Sequence, residues 1–437
     1  MSAVRPRVST ANREFDLIIV GAGITGSVMA SLALARGLCA PGRVALVGNT
    51  SAAPAASAAA SNADRDWDLR VFALSRASQR LLTLCGVWPL LPAGKLCAYE
   101  RMCIWDNAGG APAAAAASVP AHAGSIHFDC AELGEPNLGF IVEARALHEQ
   151  ARRAAAAAGT VIIDAAVAAV ANGSGADEVR VRLGDARELQ ASLLIVADGA
   201  DSPTRRLLGI ETAGHAYHQD ALVAHVRTAM PHRQTAWQRF LPTGPLAFLP
   251  LPDGRSSIVW SVARAEALRL RGLDAAAFGA ALGAASGGML GACELTTAVA
   301  SFPLKLQYAV DYLRPRAVLV GDAAHAVHPL AGQGLNLGLL DCAALAQVLD
   351  GAAGGVADGG RLGERRSLRR YERWRKSENL LVATATDGLE RLFSSGNPVL
   401  SRLRAAGLSF TERMPFIKRD LAERALGLRG DLPAFLR

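Results

Sequence analysis

The chain lacks several features that would each mark a particular class of protein. Aromatic residues make up only 5% of its 437 residues, and none of its apolar stretches reads as a membrane span. The longest, Leu17 to Leu38, is interrupted by Gly21, Gly23 and Gly26 and reads as a strand followed by a helix, whereas a span needs about 20 predominantly apolar residues. Polar Ser9 to Asp16 separates Arg5 and Arg7 from that run, so a signal peptide is rejected. The seven cysteines are odd in number and contain no C-x-x-C pair, which argues against a zinc site or a disulfide framework and suggests reduced thiols in a cytoplasmic protein. Nothing resembles an RNA or DNA module, despite a formal charge of +7. Much of that excess lies in Arg361 to Lys376, RLGERRSLRRYERWRK. This run is expected to be the solvated face of a helix whose buried stripe is Leu368, Tyr371 and Trp374; a surface meeting anionic lipid or an acidic partner is the alternative.

Three glycine-bearing turns, each behind an apolar strand, carry the chemistry that is present. Phe15 to Val20 precedes Gly21-Ala22-Gly23-Ile24-Thr25-Gly26, and an apolar helical pattern then runs to Arg36 with Gly37 as its end. In G-x-G-x-x-G the first glycine allows the turn, the second lets backbone approach a pyrophosphate, and the third lets helix and strand pack closely. The next strand, Arg43 to Val47, should end in a carboxylate for a ribose hydroxyl, but Gly48 and Asn49 stand there. The second turn is Asp198-Gly199-Ala200-Asp201-Ser202-Pro203-Thr204-Arg205, behind Leu193 to Ala197. It suits pyrophosphate or ribose contacts and equally suits an ordinary capped helix. The third is GDAAHAVHPLAGQGLNLGLLD, Gly321 to Asp341, behind Ala317 to Val320. Its Asp322 lies at the carboxyl end of a buried strand, where ligands of α/β folds collect, and is placed to bind a hydroxyl. Gly332 and Gly334 let backbone come close to a ligand, and the helix from Leu335 onward offers unpaired amides to a partial anion.

In this order the three turns resemble those of the single-component FAD-dependent aromatic hydroxylases, over most of the chain. The string His328-Pro329-Leu330-Ala331-Gly332-Gln333-Gly334-Leu335-Asn336-Leu337-Gly338, with Asp341 beyond it, resembles the signature of the ubiquinone-biosynthesis hydroxylases. DLRVFALS (68–75), GFIVE (139–143), PLAFLPL (245–251), SIVWS (257–261), YERWRKSEN (371–379) and MPFIKRDLAERALGL (414–428) are similar to that branch, in its order. The resemblance implies FAD as cofactor, with Gly21, Gly23 and Gly26 at its pyrophosphate, Asp198, Gly321 and Gly334 in the adjoining turns, Asp322 at the ribityl chain, and the Leu335-Asn336 amides at the flavin pyrimidine edge. Arg70 and Arg145 are carried over as further cofactor contacts. His328, Pro329, Gly332 and Gln333 are flavin-proximal candidates, and no catalytic base is named.

The implied activity is ring hydroxylation of a polyprenylated phenol with O2, through a flavin C4a-hydroperoxide. Lacking a second G-x-G-x-x-G, the chain would meet NAD(P)H, the reductant, only transiently. The alternatives are a hydroxylase of a soluble phenol and a non-catalytic flavin-binding subunit. A greasy substrate and the absence of a span imply peripheral contact with the inner face of a membrane or with a biosynthetic complex. The expected fold is α/β: a Rossmann-like FAD domain (15–84, 139–215 and 300–355), an inserted mixed-sheet substrate domain (85–138 and 216–299) and a helical region (356–437) after an N-terminal tail (1–14). Within the substrate domain, Trp237, Phe240, Phe248 and Trp260 would line a pocket or form core, core being the default for each. The low-complexity stretches Ser51 to Ala63 and Ala113 to Ala117 are read as loops without chemistry.

Overall fold

Short runs of leucine, isoleucine, valine and alanine, too apolar to show any face to water, can satisfy their backbone only inside a sheet covered on both sides. Leu17–Val20, Val44–Val47, Leu193–Val196 and Ala317–Leu319 are such runs, buried at every position. In the computed structural model, which describes residues 14–49, 67–106, 124–171, 178–326, 333–353, 362–394 and 398–437, they pair in parallel within a six-stranded sheet. The helix Ile24–Ala35 packs on this sheet and stops before Gly37, whose φ of +66° is left-handed. The low-complexity stretches and the N-terminal tail lie outside the described residues, as do His328, Pro329 and Gly332; Gln333 opens a helix, but its side chain is also outside them.

The first glycine turn is a steric knot. Gly21 holds φ at +113°, and a Cβ on it would collide with the carbonyl oxygen of Ala197, at the second turn. A Cβ on Gly26 would strike the Gly21 carbonyl oxygen, so strand and helix approach as closely as backbone permits. Gly23 differs: a side chain there would meet nothing within 4 Å.

A second, nine-stranded sheet contains Arg101–Asp106, Thr212–Thr228, Thr235–Leu241, Gly244–Pro250, Ser256–Ala263 and Ala300–Ala309. Its strands are antiparallel except where Thr235–Leu241 runs parallel to Arg101–Asp106, so the sheet is mixed. Alternation sorts its residues onto two faces. Trp237, Phe248 and Ile258 stand in register on one face and bury against Phe278 and Leu282 of the helix Ala275–Ser286. Trp260 joins the same core, and Phe240 packs with Ile104 and Leu408, so none of the four aromatic candidates lines the cavity between the sheets. Opposite, Ile104, Gln238, Ala247, Val259 and Val223 form one row across five strands. The fold is thus α/β, with a Rossmann-like unit, an inserted mixed sheet and a helical carboxyl-terminal region made of Arg365–Ser394, Pro398–Arg413 and Pro415–Ala425.

The basic run differs from its expected form. Leu368 and Tyr371 are buried and Trp374 packs partly buried against the same core, but the fully buried stripe continues through Arg375, Asn379 and Ala383. Spacings of three and four keep these on one side of a helix. Arg366, Arg369, Arg370 and Arg373 do face solvent.

Gly48 closes the question of the missing carboxylate in steric terms. A Cβ at this position would come within 2.7 Å of the Ala22 amide nitrogen and 3.0 Å of its Cβ, so the strand end presses on the first glycine turn. A carboxylate there could reach a ribose only by displacing that turn. Gly48→Glu is therefore expected to weaken the fold by about 1–3 kcal/mol, as overpacking does, and to loosen rather than tighten the cofactor. Thermal denaturation of the apoprotein, with FAD titration of the folded fraction, checks this.

Candidate functional site

A cavity of about 1280 Å³ lies between the two sheets. It exceeds the roughly 300–1,000 Å³ of a single small-molecule pocket, leaving space for a cofactor and a second ligand. One end is polar and built from the three turns, with Gly21, Gly23, Asp198, Asp322, Gly334 and Leu335 at its wall. The other end is the small-residue face of the nine-stranded sheet.

At the first turn Gly23 is the N-cap of Ile24–Ala35, with no side-chain cap and no acidic residue in the first turn. Its open space therefore faces unpaired amides at the positive end of a helix, which suits a pyrophosphate. His148, which the sequence reading missed, lines the cavity beside this turn and bonds the Ala22 carbonyl through Nε2 at 2.9 Å. Asn49 lines the cavity next to Gly48, where the carboxylate is absent.

The second turn is largely self-contained. Asp198 accepts from the Ser202 hydroxyl and from the Thr204 amide at 3.0 Å, and Ser202 caps the helix Pro203–Leu207 by accepting from the Arg205 amide. Arg205, in a turn that suited either ligand contacts or an ordinary capped helix, is buried and faces protein. Its guanidinium donates to the Ala200 carbonyl at 2.9 Å and to Ala323 at 2.8 Å, binding the second turn to the third.

At the third turn Gly321 takes φ of +60°, with Thr25 of the first helix and Gly338 of the helix Gln333–Ala353 packed against it. Asp322 keeps accessible surface, but that surface opens into the cavity rather than to bulk water. Burial accordingly pushes its carboxyl pKa up, with His325 and Arg70 pulling it back. Gly334 and Leu335 present the start of the next helix to the cavity. The Asn336 side chain turns away: it accepts from the Ser75 amide (3.0 Å) and Ser78 hydroxyl (2.7 Å) and donates to the Ala73 carbonyl (2.8 Å). This fixes the helix start against the strand Val71–Leu74.

Of the two carried-over arginines, Arg70 lines the cavity, its guanidinium between the rings of Phe72 (5.7 Å) and Phe302 (5.8 Å). Arg145 is not in the wall; it pairs with buried Glu143 at 3.4 Å. Behind the third turn lies a group legible only as part of a signature. The Asp341 carboxylate is fully buried and accepts from the Gly321 amide (3.0 Å), His325 Nε2 (2.6 Å), Arg375 Nε (2.8 Å) and Asn379 (3.1 Å). Burial alone would raise its pKa, but His325 and Arg375 outweigh it and hold the carboxyl at about 2.

A polar end built from three glycine-bearing turns, an apolar sheet end and a mixed-sheet insertion together define a flavoprotein aromatic hydroxylase. The p-nitrophenol 4-monooxygenase PnpA of Pseudomonas putida DLL-E4 has this fold, with a TM-score of 0.69 at 16% identity over 94% of this chain and 97% of its own. A model of the FAD binding domain matches residues 142–377. The 3-demethoxyubiquinol 3-hydroxylase of Escherichia coli K12 is 33% identical, covering 95% of this chain and all of its own length. The ubiquinone hydroxylase UbiL of Rhodospirillum rubrum is 34% identical over 98% of this chain and 92% of its own. The chain belongs to the ubiquinone-biosynthesis hydroxylase family of FAD-dependent aromatic monooxygenases.

Two expectations follow. A carboxylate-to-hydroxyl bond contributes roughly 1.5–3 kcal/mol, so Asp322→Ala should weaken FAD binding about tenfold to a hundredfold, and Gly23→Val, which fills the open pyrophosphate side, should weaken it more. Flavin retained after extended dialysis measures both. For Asp341, a folded pKa of about 2 lies below the ordinary 3.8, so its stabilisation is complete above the ordinary value and lost as pH falls through the folded one. Asp341→Asn should cost about 3–5 kcal/mol near neutrality, because it leaves Arg375 buried without its counter-charge. Chemical denaturation should show that gap narrowing by about 2 kcal/mol on acidification from pH ~5 to pH ~2.

Proposed function

We propose that this protein hydroxylates the ring of a polyprenylated phenol in ubiquinone biosynthesis, using FAD, O2 and NAD(P)H as a transient reductant. The observation that carries this reading is the cavity itself, in which a polar end built from the three turns runs into the mostly apolar face of the nine-stranded sheet. When bound, FAD supplies the activation of oxygen and its transfer to the ring. The chain's residues supply the rest. The Gly21–Gly26 turn and the first helix hold the pyrophosphate, Asp322 accepts from a ribityl hydroxyl, and the Gly334-Leu335 amides favour negative charge at the flavin edge.

The sheet face shields the reacting region from water. Ala221, Val223, Ala236, Ala247 and Val259 contribute no titratable group, and Tyr99, also in the wall, has its hydroxyl pushed up to about 12 by burial. A phenol that stays protonated near neutrality donates a hydrogen bond and takes no proton. Activation of the ring therefore rests on the substrate's own hydroxyl.

The prenyl tail leaves through the helical region. Leu389, Leu421, Ala422, Ala425 and Leu426 line the far side of the cavity, and Leu389 and Leu421 are 44% and 48% exposed, which puts them at its mouth. Phe416, 68% exposed, lies on the same helix as Leu421. No helix among the described residues is long and apolar enough to cross a membrane. The mouth is thus the surface that meets the bilayer. The basic run lies further along the same helix, Arg370 and Leu389 being about 28 Å apart at 1.5 Å per residue.

The FAD-loaded protein should oxidise NAD(P)H rapidly only when a phenol is present and yield a product one oxygen atom heavier by mass spectrometry. Leu421→Glu with Phe416→Glu should lower activity on a long-chain phenol in vesicles by about tenfold or more while sparing a short soluble analogue, since charge at an apolar mouth opposes contact with lipid. Equal turnover of both substrates by both proteins would remove the membrane contact. NAD(P)H oxidation that no phenol stimulates would remove the hydroxylase reading.

A further inference from the structure

The helix Arg365–Ser394 buries one side, through Leu368, Tyr371, Arg375, Asn379 and Ala383, and leaves a long opposite side uncovered. Near its start that side carries Arg365, Arg366, Arg369, Arg370 and Arg373, all exposed, and none of their guanidinium groups has an ion pair or hydrogen bond among the described residues. Other exposed arginines of the helical region do have partners: Arg419, Arg424 and Arg429, with side chains 58–60% exposed, meet Glu423 or Asp420 at 2.7–3.0 Å. No such carboxylate serves the basic run. Glu372 stands four residues from Leu368 and Glu378 seven from Tyr371, spacings that turn both toward the buried side, and Glu372 accepts from the Tyr312 amide at 2.9 Å. Like charges three and four residues apart repel, so this concentration of arginine disfavours the helix that carries it unless something negative covers it.

Further along, the same side turns apolar. Leu380 is seven residues from Arg373, Leu381 eleven from Arg370 and Leu392 eleven from Leu381, each close to a whole number of turns. These leucines are 48%, 62% and 38% exposed. From Arg366 to Leu392 the strip is about 39 Å long at 1.5 Å per residue, and its apolar end lies beside Leu389 at the cavity mouth. Whatever covers the strip must therefore offer both negative charge and hydrocarbon. Guanidinium groups bind phosphate oxygens through paired N–H bonds, and exposed leucine gains by leaving water. An acidic polypeptide supplies the first of these. The interface of an anionic bilayer supplies both, in adjacent layers and over any length.

We propose that the exposed side of this helix lies on a membrane containing anionic phospholipid, with the five arginines at headgroup phosphates and Leu380, Leu381 and Leu392 at the acyl boundary. The proposal rests on the reading that the cavity mouth meets a bilayer, and adds to it the lipid charge this contact selects and the residues that select it. Held along the surface in this way, the helix keeps the mouth against the layer in which a greasy phenol dissolves.

The test is co-sedimentation of the FAD-loaded protein with vesicles of phosphatidylcholine, alone or with phosphatidylglycerol as about a third of the lipid, at low salt. The wild type should bind the anionic vesicles at least about tenfold more tightly, and added salt should weaken that binding. Arg366→Gln with Arg370→Gln and Arg373→Gln should cut the preference to about twofold or less, with flavin content and melting temperature retained. Arg180→Gln with Arg187→Gln and Arg269→Gln, which removes the same charge from other exposed sites, should leave most of it. Leu380→Ser with Leu381→Ser should weaken binding to anionic vesicles about fivefold or more. A wild type without preference, equal losses in the two arginine variants, an unaffected leucine variant, or arginine-dependent capture by polyglutamate but not by vesicles would each overturn the proposal. Any of these, with Leu421→Glu and Phe416→Glu still impairing turnover of the long-chain phenol, would overturn it alone. A mouth variant that turns over long and short phenols as the wild type does would instead overturn the reading on which it stands.

Discussion

Four donors from two separate parts of the chain converge on the buried Asp341 carboxylate. Gly321 and His325 come from the third turn, Arg375 and Asn379 from the long carboxyl-terminal helix, and Asp341 itself from the helix that begins at the cavity. A charge withdrawn from water this completely is tolerated only with such compensation, and loss of any one partner leaves the others buried and mismatched. The position of Asp322 depends on this, because it follows directly on the Gly321 amide that Asp341 holds. The cavity mouth depends on it too, since Leu389 lies on the helix that Arg375 anchors. Tyr371 adds a second tie from that helix, donating to the Leu319 carbonyl at 2.9 Å.

Around this anchor the cavity arises from two kinds of close packing that leave a gap between them. On the cofactor side, Gly21, Gly26 and Gly48 bring backbone so near to backbone that no side chain fits, and Gly23 alone opens outward. On the other side, alanine, serine, valine and proline cover a sheet face too thinly to fill the roughly 10 Å between packed layers. The opposite face of the same sheet, with Trp237, Phe248 and Trp260, fills its layer completely against a helix. Alternation along each strand therefore divides one sheet into a packed wall and an empty one.

Much of this was legible in the chain. Strands such as Leu17–Val20 and Leu193–Val196 are too short and too apolar for another role, and glycine spacing marks the turns behind them because only backbone without a side chain can make those approaches. Arg375 was not legible. It sits in a run of basic residues that composition assigns to solvent, and only the helix phase set by Leu368 and Tyr371 turns it inward. Arg205 shows the same limit: its turn suits ligand contacts or an ordinary capped helix, and the guanidinium bonds the Ala200 and Ala323 carbonyls. In each case the local sequence permits two partners and long-range packing selects one.

The sequence by itself determined the order of strand, turn and helix, the glycines that force backbone contact, and the family to which the chain belongs, since all of these follow from local conformational limits and from residues adjacent along the chain. The tertiary structure alone decided that Gly48 has no room for a carboxylate, that the substrate-sheet aromatics are core, and that Arg375 turns inward to a buried carboxylate. Those outcomes depend on which residues distant in sequence come within a few ångströms of one another, and no spacing along a single chain encodes that distance.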